Sequence, residues 1–468
     1  MSGVGLAMRE RILLFVILSL LGVFLFIFQN YVNTVVGFLF LCACMVTYGL
    51  YSIAATKYQN RRLKKHPPIV NENYKPFVSI MIPAHNEETV IANTVDNILR
   101  IDYPNFEIIV IDDRSSDNTA SVINELANKH SNVIAFIRDK EAFPGKSAVL
   151  NDALKMAKGE AILVFDADAT VESDFLNKLI PKLEPADVGA VQARKIIRNK
   201  DCNILTRCQN NEYSTDTHLQ VGRDAVKGAV ELRGNGELIK REALEDIGGW
   251  NNYTITDDLD MSTRLHIKGW DVRFCSDACV YEEGIMYIFP LFRQRRRWLE
   301  GTIRRYLEYF GEAISSKKMS LRARLDMTIY ITQFIMPLWF MMEVIFRIIK
   351  MFADKVDPYS LHNVLWSSLI VASVVGLGFF LLIRYSLRRY DNEPRMEALK
   401  QALITTVYFF ILWFPMVIFI CGKILFCKKD MKWGKTAHGL VKEEKQRIID
   451  EINKKLQKLQ NKLQEVLK

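Results

Sequence analysis

The sequence predicts an α/β domain with a mostly parallel sheet, placed between two groups of transmembrane helices. First, the apolar residues of this 468-residue chain gather in blocks near the roughly 20 residues that cross a bilayer. Second, strand-like and helix-like segments alternate between those blocks, which is typical of a parallel sheet. Third, a run of glutamine, arginine and tryptophan at 294–298 stands where the α/β region meets the later blocks.

Five apolar blocks are nearly free of charge, and we predict that they span a membrane. Two lie within residues 1–56 and about three within residues 326–427, and their bounds are 12–28, 35–54, 327–349, 364–383 and 402–424. The first block could be a signal peptide. It lacks a small-residue cleavage site and a second block follows at once, so we interpret it as an anchor.

Positively charged residues predict which side of the membrane each segment faces. Five Lys and Arg residues at 57–65 follow the second block, which places the α/β region, 57–285, in the cytoplasm. Five full spans would then leave the C-terminus outside, whereas lysines 423, 428, 429 and 432 favour the inside. Either one block is re-entrant or lies flat on the membrane, or the charge rule fails here. We favour a cytoplasmic tail on a multi-pass plasma-membrane protein, and we expect no nucleic-acid partner.

Within the α/β region, strands are predicted at 77–82, 107–111, 133–137 and 161–165, with helices starting near residues 87, 118 and 146. In open α/β sheets, ligands bind at the carboxyl ends of the strands. Three polar clusters fall at those ends, and together they predict a binding site: Ala84 to Glu87, Asp112 with Asp113, and Asp166 with Asp168.

Each of these clusters also has a structural interpretation. Asp112 and Asp113 suit a loop and helix cap, because aspartate is common in turns. Asp166 and Asp168 suit either a solvated turn or a site for a hard cation such as Mg²⁺ or Mn²⁺. That cation would take its other ligands from water and substrate phosphates. Lys146 opens a helix beside this site, where it is either a phosphate ligand or an ordinary exposed lysine.

A second acidic group, Asp257, Asp258 and Asp260, follows Thr256 at a predicted helix start. Helix capping alone explains acids in a first turn, because they oppose the helix dipole. A carboxylate near a helix N-terminus also stays ionised, as a catalytic base must. We therefore expect capping and chemistry to coexist in this segment.

These motifs, in this order from Val78 to Trp298, resemble the membrane-integrated, processive family 2 glycosyltransferases. That family includes bacterial cellulose, poly-N-acetylglucosamine and hyaluronan synthases. The resemblance implies a GT-A catalytic domain, with amphipathic interface helices at 286–325 that carry the QxxRW motif. This chain has Asp257 where the family usually has glutamate. It also has the run 233–236 where cellulose synthases carry an aromatic-Cys-Gly-Ser run at the acceptor.

The resemblance also implies roles for individual residues. The nucleotide-sugar ligands would be Pro83, Ala84, Glu87, Asp112, Asp113, Lys146, Asp166, Gln294 and Arg297. The metal ligands would be Asp166 and Asp168, the catalytic acids Asp258 as base with Asp257 beside it, and the acceptor ligands Trp298, Gly234 and Asn235. If these roles are correct, Asp168, Asp258 and Trp298 must share one pocket.

The function implied is an inverting, processive transferase that polymerises UDP-glucose into a β-glucan and moves the chain across the membrane. Its partners would be the UDP-sugar, the growing polysaccharide and membrane lipid. The alternatives are a synthase that uses UDP-GlcNAc, a non-processive transferase that loads one sugar onto a lipid carrier, and a non-enzymatic glycan-binding component. A non-processive transferase would need neither the QxxRW motif nor several later spans.

The C-terminal residues 440–468 repeat apolar side chains at spacings of three and four, with charged residues between them. This pattern predicts a short coiled coil and a small homo-oligomer. A single amphipathic helix on the membrane or on the catalytic domain explains the same pattern.

Overall fold

The computed structural model of the protein describes residues 3–31, 34–65, 71–353 and 358–427, with the backbone alone at some positions of the apolar helices. The helices are α1 (Gly3–Tyr31), α2 (Thr34–Lys65), α3 (Ile91–Ile98), α4 (Thr119–Lys129), α5 (Lys146–Leu154), α6 (Phe175–Leu183), α7 (Ile204–Ala225), α8 (Arg241–Asp246), α9 (Asp257–Lys268), α10 (Ile288–Ser315), α11 (Leu321–Ala353), α12 (Pro358–Tyr390) and α13 (Arg395–Phe426). The strands are β1 (Val78–Ala84), β2 (Phe106–Asp112), β3 (Val133–Ile137), β4 (Ala161–Val164), β5 (Thr170–Val171), β6 (Val188–Ile197), β7 (Glu237–Lys240) and β8 (Asp271–Glu282).

All eight strands form one sheet in the order β3-β2-β1-β4-β7-β6-β8-β5. The first four strands are parallel, as predicted. The rest of the sheet is mixed, so the expectation of a mostly parallel sheet holds only in part: β6 and β8 are parallel, but β7 runs antiparallel to both β4 and β6, and β5 runs antiparallel to β8. The reason is the loop before β7: Asn235 Oδ1 accepts a hydrogen bond from the Asp166 amide at 3.2 Å. The chain therefore enters β7 at the carboxyl end of β4 and must run back along it.

The central strands are apolar on both faces because helices cover both sides of the sheet. Ile80 and Ile82 of β1 pack into one core with Val95 of α3. Met81, which points to the opposite face, packs into a second core with Val149 of α5. Together, the two cores fix the carboxyl ends of β1, β2 and β4 side by side.

The five predicted spans lie within α1, α2, α11, α12 and α13. Within the described residues, α13 alone is long and apolar enough to cross a membrane, judged by length and composition. The other four spans, and the domain limits, stay predictions. The segment 286–325 holds one long helix, α10, and the start of α11, and the predicted tail at 440–468 lies outside the described residues.

Ion pairs hold the turn between α12 and α13 against the catalytic domain. Asp391 pairs with Arg194 of β6 at 2.5 Å, and Glu393 pairs with Arg207 of α7. The side chains of Arg194 and Asp391 are 9 % and 6 % exposed, so this contact is shielded from water and from salt. The last two helices are therefore fixed to the domain that carries the predicted site.

Candidate active site

A cavity of about 1060 Å³ opens at the carboxyl ends of the first strands and extends to α11, α12 and α13. It brings most of the predicted site residues together, although they come from distant parts of the chain. Those that line it are Pro83, Glu87, Lys146, Asp166, Asp168, Gly234, Asp257, Asp258, Gln294, Arg297 and Trp298. Asp168, Asp258 and Trp298 therefore line one pocket, as their predicted roles require.

Four predicted residues lie behind the cavity wall: Ala84, Asp112, Asp113 and Asn235. Asp113 is fully buried, and Oδ1 accepts hydrogen bonds from Arg138 at 2.6 Å and from Arg114 at 2.9 Å. Arg138 also binds Asp152 and the Phe143 carbonyl. In this structure Asp113 therefore anchors the loop that precedes Lys146.

Lys146 begins α5 and points into the cavity. Its Nζ donates to Asp166 Oδ1 at 2.6 Å and to the Gly234 carbonyl at 2.9 Å. Burial alone would lower the pKa of Lys146, but the carboxylates of Asp166, Asp257 and Glu237 raise it above the ordinary value. The side chain is a permanent cation beside the predicted metal ligands.

Asp166 and Asp168 follow β4 and present carboxylates to the same cavity. Asp168 is 5 % exposed, and its Oδ2 accepts a hydrogen bond from the Glu283 amide at 3.0 Å, which orients it. No cluster of three or more His, Cys, Asp or Glu residues with metal-binding geometry occurs in the described part of the chain. Two hard oxygen donors in an open cavity suit Mg²⁺ or Mn²⁺, with water and phosphate oxygens as the remaining ligands.

Asp258 lies in the first turn of α9, where Oδ1 accepts the Leu259 amide hydrogen at 2.8 Å. Burial and the neighbouring Asp257 raise its pKa to about 6, against the opposing effects of that amide, Arg233 and Lys146. The close approach of Gly234 requires glycine: its φ is +77°, and a Cβ there would lie 3.2 Å from Asp258 Oδ2. Asp258 is therefore a buried carboxylate that is ionised above pH 6.

A further acid, Glu237 on β7, is fully buried beneath this group. Among the described residues, neither of its carboxylate oxygens has a hydrogen-bond partner. Burial raises its pKa to about 8, against the opposing effect of Lys146 and with help from Asp257 and Asp258. Its raised pKa means that Glu237 holds its proton more tightly than an exposed glutamate.

Trp298 is held at the cavity wall by neighbours that the motif does not reveal. The guanidinium of Arg295 lies 4.2 Å from the centre of the indole ring, within cation–π range. Arg295 is buried and pairs with Glu212 of α7 at 3.0 Å. Arg295, the first arginine of the motif run, thus positions the tryptophan, while Arg297 lines the cavity.

Sequence reasoning missed a polar group on β6, α7 and β8 next to Trp298. Lys195 Nζ lies 2.9 Å from Glu282 Oε2 and 5.5 Å from the centre of the Trp298 ring. The hydroxyl of Tyr213 donates to Glu282 Oε1 at 2.5 Å. The signal in the sequence is the group of polar residues Gln192, Arg194 and Lys195 within an otherwise apolar strand.

The two ends of the cavity differ in chemistry. At one end Phe143 and Tyr253, 49 % and 59 % exposed, meet edge to face with ring centres 5.9 Å apart. The other end is lined by aromatic and aliphatic side chains of the last three helices: Tyr330, Phe334, Phe379, Leu382, Phe409 and Trp413. A bound molecule could therefore be water-soluble at the first end and apolar at the second.

The position of α9, and so of its acids, depends on a glycine in α10. A Cβ at Gly301 would lie 2.4 Å from Cγ2 of Thr256, the residue that precedes α9. We predict that Gly301→Ala destabilises the protein by roughly 1–3 kcal/mol, because the packed threonine has to move. The thermal unfolding midpoint of the purified protein should fall.

Gly311 in the same helix is the matched control, because a Cβ there would meet nothing within 4 Å. Gly311→Ala should leave the midpoint unchanged or raise it, since alanine is favoured over glycine in helices by about 1 kcal/mol. Equal midpoints for the two variants would show that α10 does not press on α9 at Thr256.

Comparison with known proteins identifies the family of the chain. Residues 76–301 match the family described as "Glycosyltransferase like family 2". A protein of Trichormus variabilis named "Beta-monoglucosyldiacylglycerol synthase" is 35 % identical over 411 residues, which cover 86 % of this chain and 84 % of that protein. A Staphylococcus epidermidis protein named "Poly-beta-1,6-N-acetyl-D-glucosamine synthase" is 32 % identical over 246 residues, or 52 % of this chain and 59 % of that one.

A solved structure shows the same fold. It is a mannosyltransferase from Pyrobaculum calidifontis in complex with GDP-Man and Mn²⁺, 21 % identical, with a TM-score of 0.53. The alignment covers 79 % of this chain and 99 % of that one. The catalytic domain therefore has the mixed α/β sheet of the GT-A fold. Given this fold and the long match at 35 % identity, the chain is a hexosyltransferase and belongs to glycosyltransferase family 2.

Proposed function

We propose that this enzyme transfers one hexose, with inversion, from a nucleotide diphosphate sugar to the free hydroxyl of diacylglycerol in a membrane. The observation that carries this proposal is the shared cavity of Asp168, Asp258 and Trp298. A cation ligand, a buried base and an aromatic platform there surround one space. The protein would act as a membrane enzyme with its catalytic domain in the cytoplasm.

The residues of the cavity divide the chemistry among them. Asp258 takes the proton of the acceptor hydroxyl as that oxygen attacks the anomeric carbon, and an α-linked donor yields a β-linked product. Lys146 and Arg297 face the departing diphosphate and stabilise its growing negative charge. Asp166 and Asp168 would hold a divalent cation, which would supply further charge neutralisation at the same leaving group.

Two observations support a lipid acceptor. The cavity continues from Asp258 to apolar side chains of three helices, and those side chains suit acyl chains. The match to the β-monoglucosyldiacylglycerol synthase spans 411 residues, so it extends well beyond the α/β domain into the flanking helices. The name of that relative describes a β-linked product, as inversion requires.

A processive polysaccharide synthase is the second candidate. It is favoured by the resemblance of Gln294, Arg297 and Trp298 to the motif of such enzymes, and by the similarity to the poly-N-acetylglucosamine synthase. Aromatic side chains also stack on sugar rings, so the same cavity end accommodates a polymer. UDP-glucose or UDP-GlcNAc would be the donor.

Product size distinguishes the two candidates. The purified protein, in lipid nanodiscs that contain diacylglycerol, is incubated with Mg²⁺ or Mn²⁺ and each common UDP- or GDP-sugar. We expect one donor to give a monohexosyl lipid, identified by mass spectrometry and sensitive to a β-glycosidase. Long chains that form without diacylglycerol would favour the second candidate, and a product with an α linkage would contradict inversion.

A further inference from the structure

Helix α13 is apolar and long enough to cross a bilayer, yet its first half contacts the catalytic domain at Thr405 and its last turn contacts α10 at Lys423. We infer that α13 lies along the membrane-facing side of that domain and that its outer face is embedded in the acyl chains of the cytoplasmic leaflet. This inference rests on the contacts of α13 and does not depend on the identity of the acceptor.

The N-terminal half of α13 is bonded to α7 of the catalytic domain. Thr405 Oγ1 accepts a hydrogen bond from Asn211 Nδ2 at 2.8 Å, and both residues are fully buried. One turn later, the hydroxyl of Tyr408 donates to Glu212 Oε2 at 3.4 Å. These polar contacts fix residues 405–408 at the domain surface.

The C-terminal end of α13 is bonded to α10 and α1. Lys423 Nζ pairs with Glu300 Oε2 of α10 at 2.6 Å. The Cys427 carbonyl, just past the helix, accepts a hydrogen bond from the Arg11 guanidinium near the start of α1. Glu300 in turn pairs with Arg304, which binds Glu10 of α1.

The two anchor regions are connected through α10. Glu212, which binds the first half of α13, is paired with Arg295 of α10, and the same helix carries Glu300, which binds Lys423. A helix that crossed the roughly 30 Å apolar core of a bilayer would carry one of its ends away from the catalytic domain. Thr405 and Lys423 of α13 both contact this group, so the helix lies along the surface of the domain.

The face of α13 that points away from the domain is apolar from Leu403 onward, whereas Lys400 is also exposed near the start of the helix. Its exposed apolar side chains recur at one or two helical turns: Met396, Leu399, Leu403, Val407, Ile411, Phe419 and Phe426. The opposite face is buried against α1, α10 and α11, and it includes Leu412, Met416 and Ile420. In a membrane protein, an apolar stripe of this length is covered by lipid. Because α13 is held to the domain near both Thr405 and Lys423, its outer face reaches one leaflet only.

This arrangement also resolves the conflict between five predicted spans and the lysines that favour a cytoplasmic C-terminus. If α1, α2, α11 and α12 cross and α13 does not, four crossings return the chain to the cytoplasmic side. The basic residues 423, 428, 429 and 432 then lie where the positive-inside rule expects them. Phe409 and Trp413, which line the cavity, place this helix between the active site and the leaflet.

Labelling of single cysteines in sealed vesicles tests the topology. Native Cys427 reports the C-terminal end, Met396→Cys the N-terminal end, and native Cys202 the catalytic domain, each in a chain whose other cysteines are alanine. We expect a membrane-impermeant maleimide to label all three from the same side and none from the other. Labelling of Met396→Cys and Cys427 from opposite sides would overturn the inference.

Depth measurements provide a second test that needs no vesicle orientation. Nitroxide labels at positions 403, 411 and 419, in variants checked for folding by gel filtration, should lie at equal depths of roughly 5–10 Å below the headgroups. A spanning or re-entrant helix would instead place position 411 deepest, at roughly 15 Å. Labels that lipid-soluble oxygen does not reach would show a protein partner on the stripe and would also contradict the proposal.

Discussion

Replacing Asp258 with asparagine is expected to lower turnover by roughly 10²–10⁴-fold, because the amide cannot take the proton of the acceptor hydroxyl. The change is nearly isosteric, and the carbonyl oxygen of the new side chain can still accept the Leu259 amide hydrogen that orients the native carboxylate. Binding of the nucleotide sugar, measured by calorimetry, should stay within a few-fold of the native value. Turnover close to that of the native enzyme would remove Asp258 from the role of base.

Asp257→Asn is the matched control, because it removes the neighbouring carboxylate but leaves the base. In the native enzyme, activity should fall as the pH drops through about 6, where Asp258 gains its proton. Asp257 raises the pKa of Asp258, so its loss should move this acid limb to lower pH while turnover at neutral pH persists. An acid limb that stays at about pH 6 would show that another group controls the profile.

Replacing Asp168 with asparagine is expected to reduce activity on the order of 10²-fold or more. A bound cation supplies several kcal/mol of charge stabilisation at a leaving phosphate, and each ~1.36 kcal/mol is a factor of ten. Asp168 is oriented by the Glu283 amide, so the variant keeps its position but loses its charge. Titration with Mn²⁺ should show weaker cation binding, and activity should be partly restored at high Mn²⁺ concentration.

Asp174→Asn is the control for this experiment, since Asp174 is an exposed carboxylate paired with Lys178 outside the cavity. It should change neither activity nor cation binding. Native Mn²⁺ affinity in the Asp168 variant would show that the cation binds elsewhere, and full activity without any divalent ion would exclude a role for it.

The first half of the sheet could be predicted because its strands are continuous apolar runs. β1, β2 and β4 are buried on both faces, so their sequences differ sharply from the polar loops between them. The polar residues that end these strands could be assigned to one edge for the same reason. Asp166, Asp168 and Lys146 therefore reach the cavity as expected.

Strands β6 and β8, in the second half of the sheet, are not continuous apolar runs. β6 contains Gln192, Arg194 and Lys195, and β8 begins with alternating polar residues, because these strands contact the site and the α12–α13 turn. α7 buries Asn210, Asn211 and Gln220, which form hydrogen bonds in the interior rather than an apolar face. Local patterns therefore predict neither the strand order nor the reversal of β7.

Individual roles within the site were also hidden by tertiary structure. Arg295 and Arg297 are two residues apart and chemically identical, yet Arg295 is buried against Glu212 and Arg297 lines the cavity. Asp113 was expected at the nucleotide but is enclosed by Arg138. Charge and spacing predict that such residues gather at one place, whereas packing decides which of them a ligand can touch.

The difference between the two ends of the cavity affects how reactants enter the enzyme and how products leave it. The end between Phe143 and Tyr253 is exposed, so a spent nucleotide can diffuse into water. Under the proposed function, the glycosylated lipid would withdraw past Phe409 and Trp413 into the bilayer. Neither molecule has to pass the other, so the order in which the two reactants arrive and the two products depart need not be fixed.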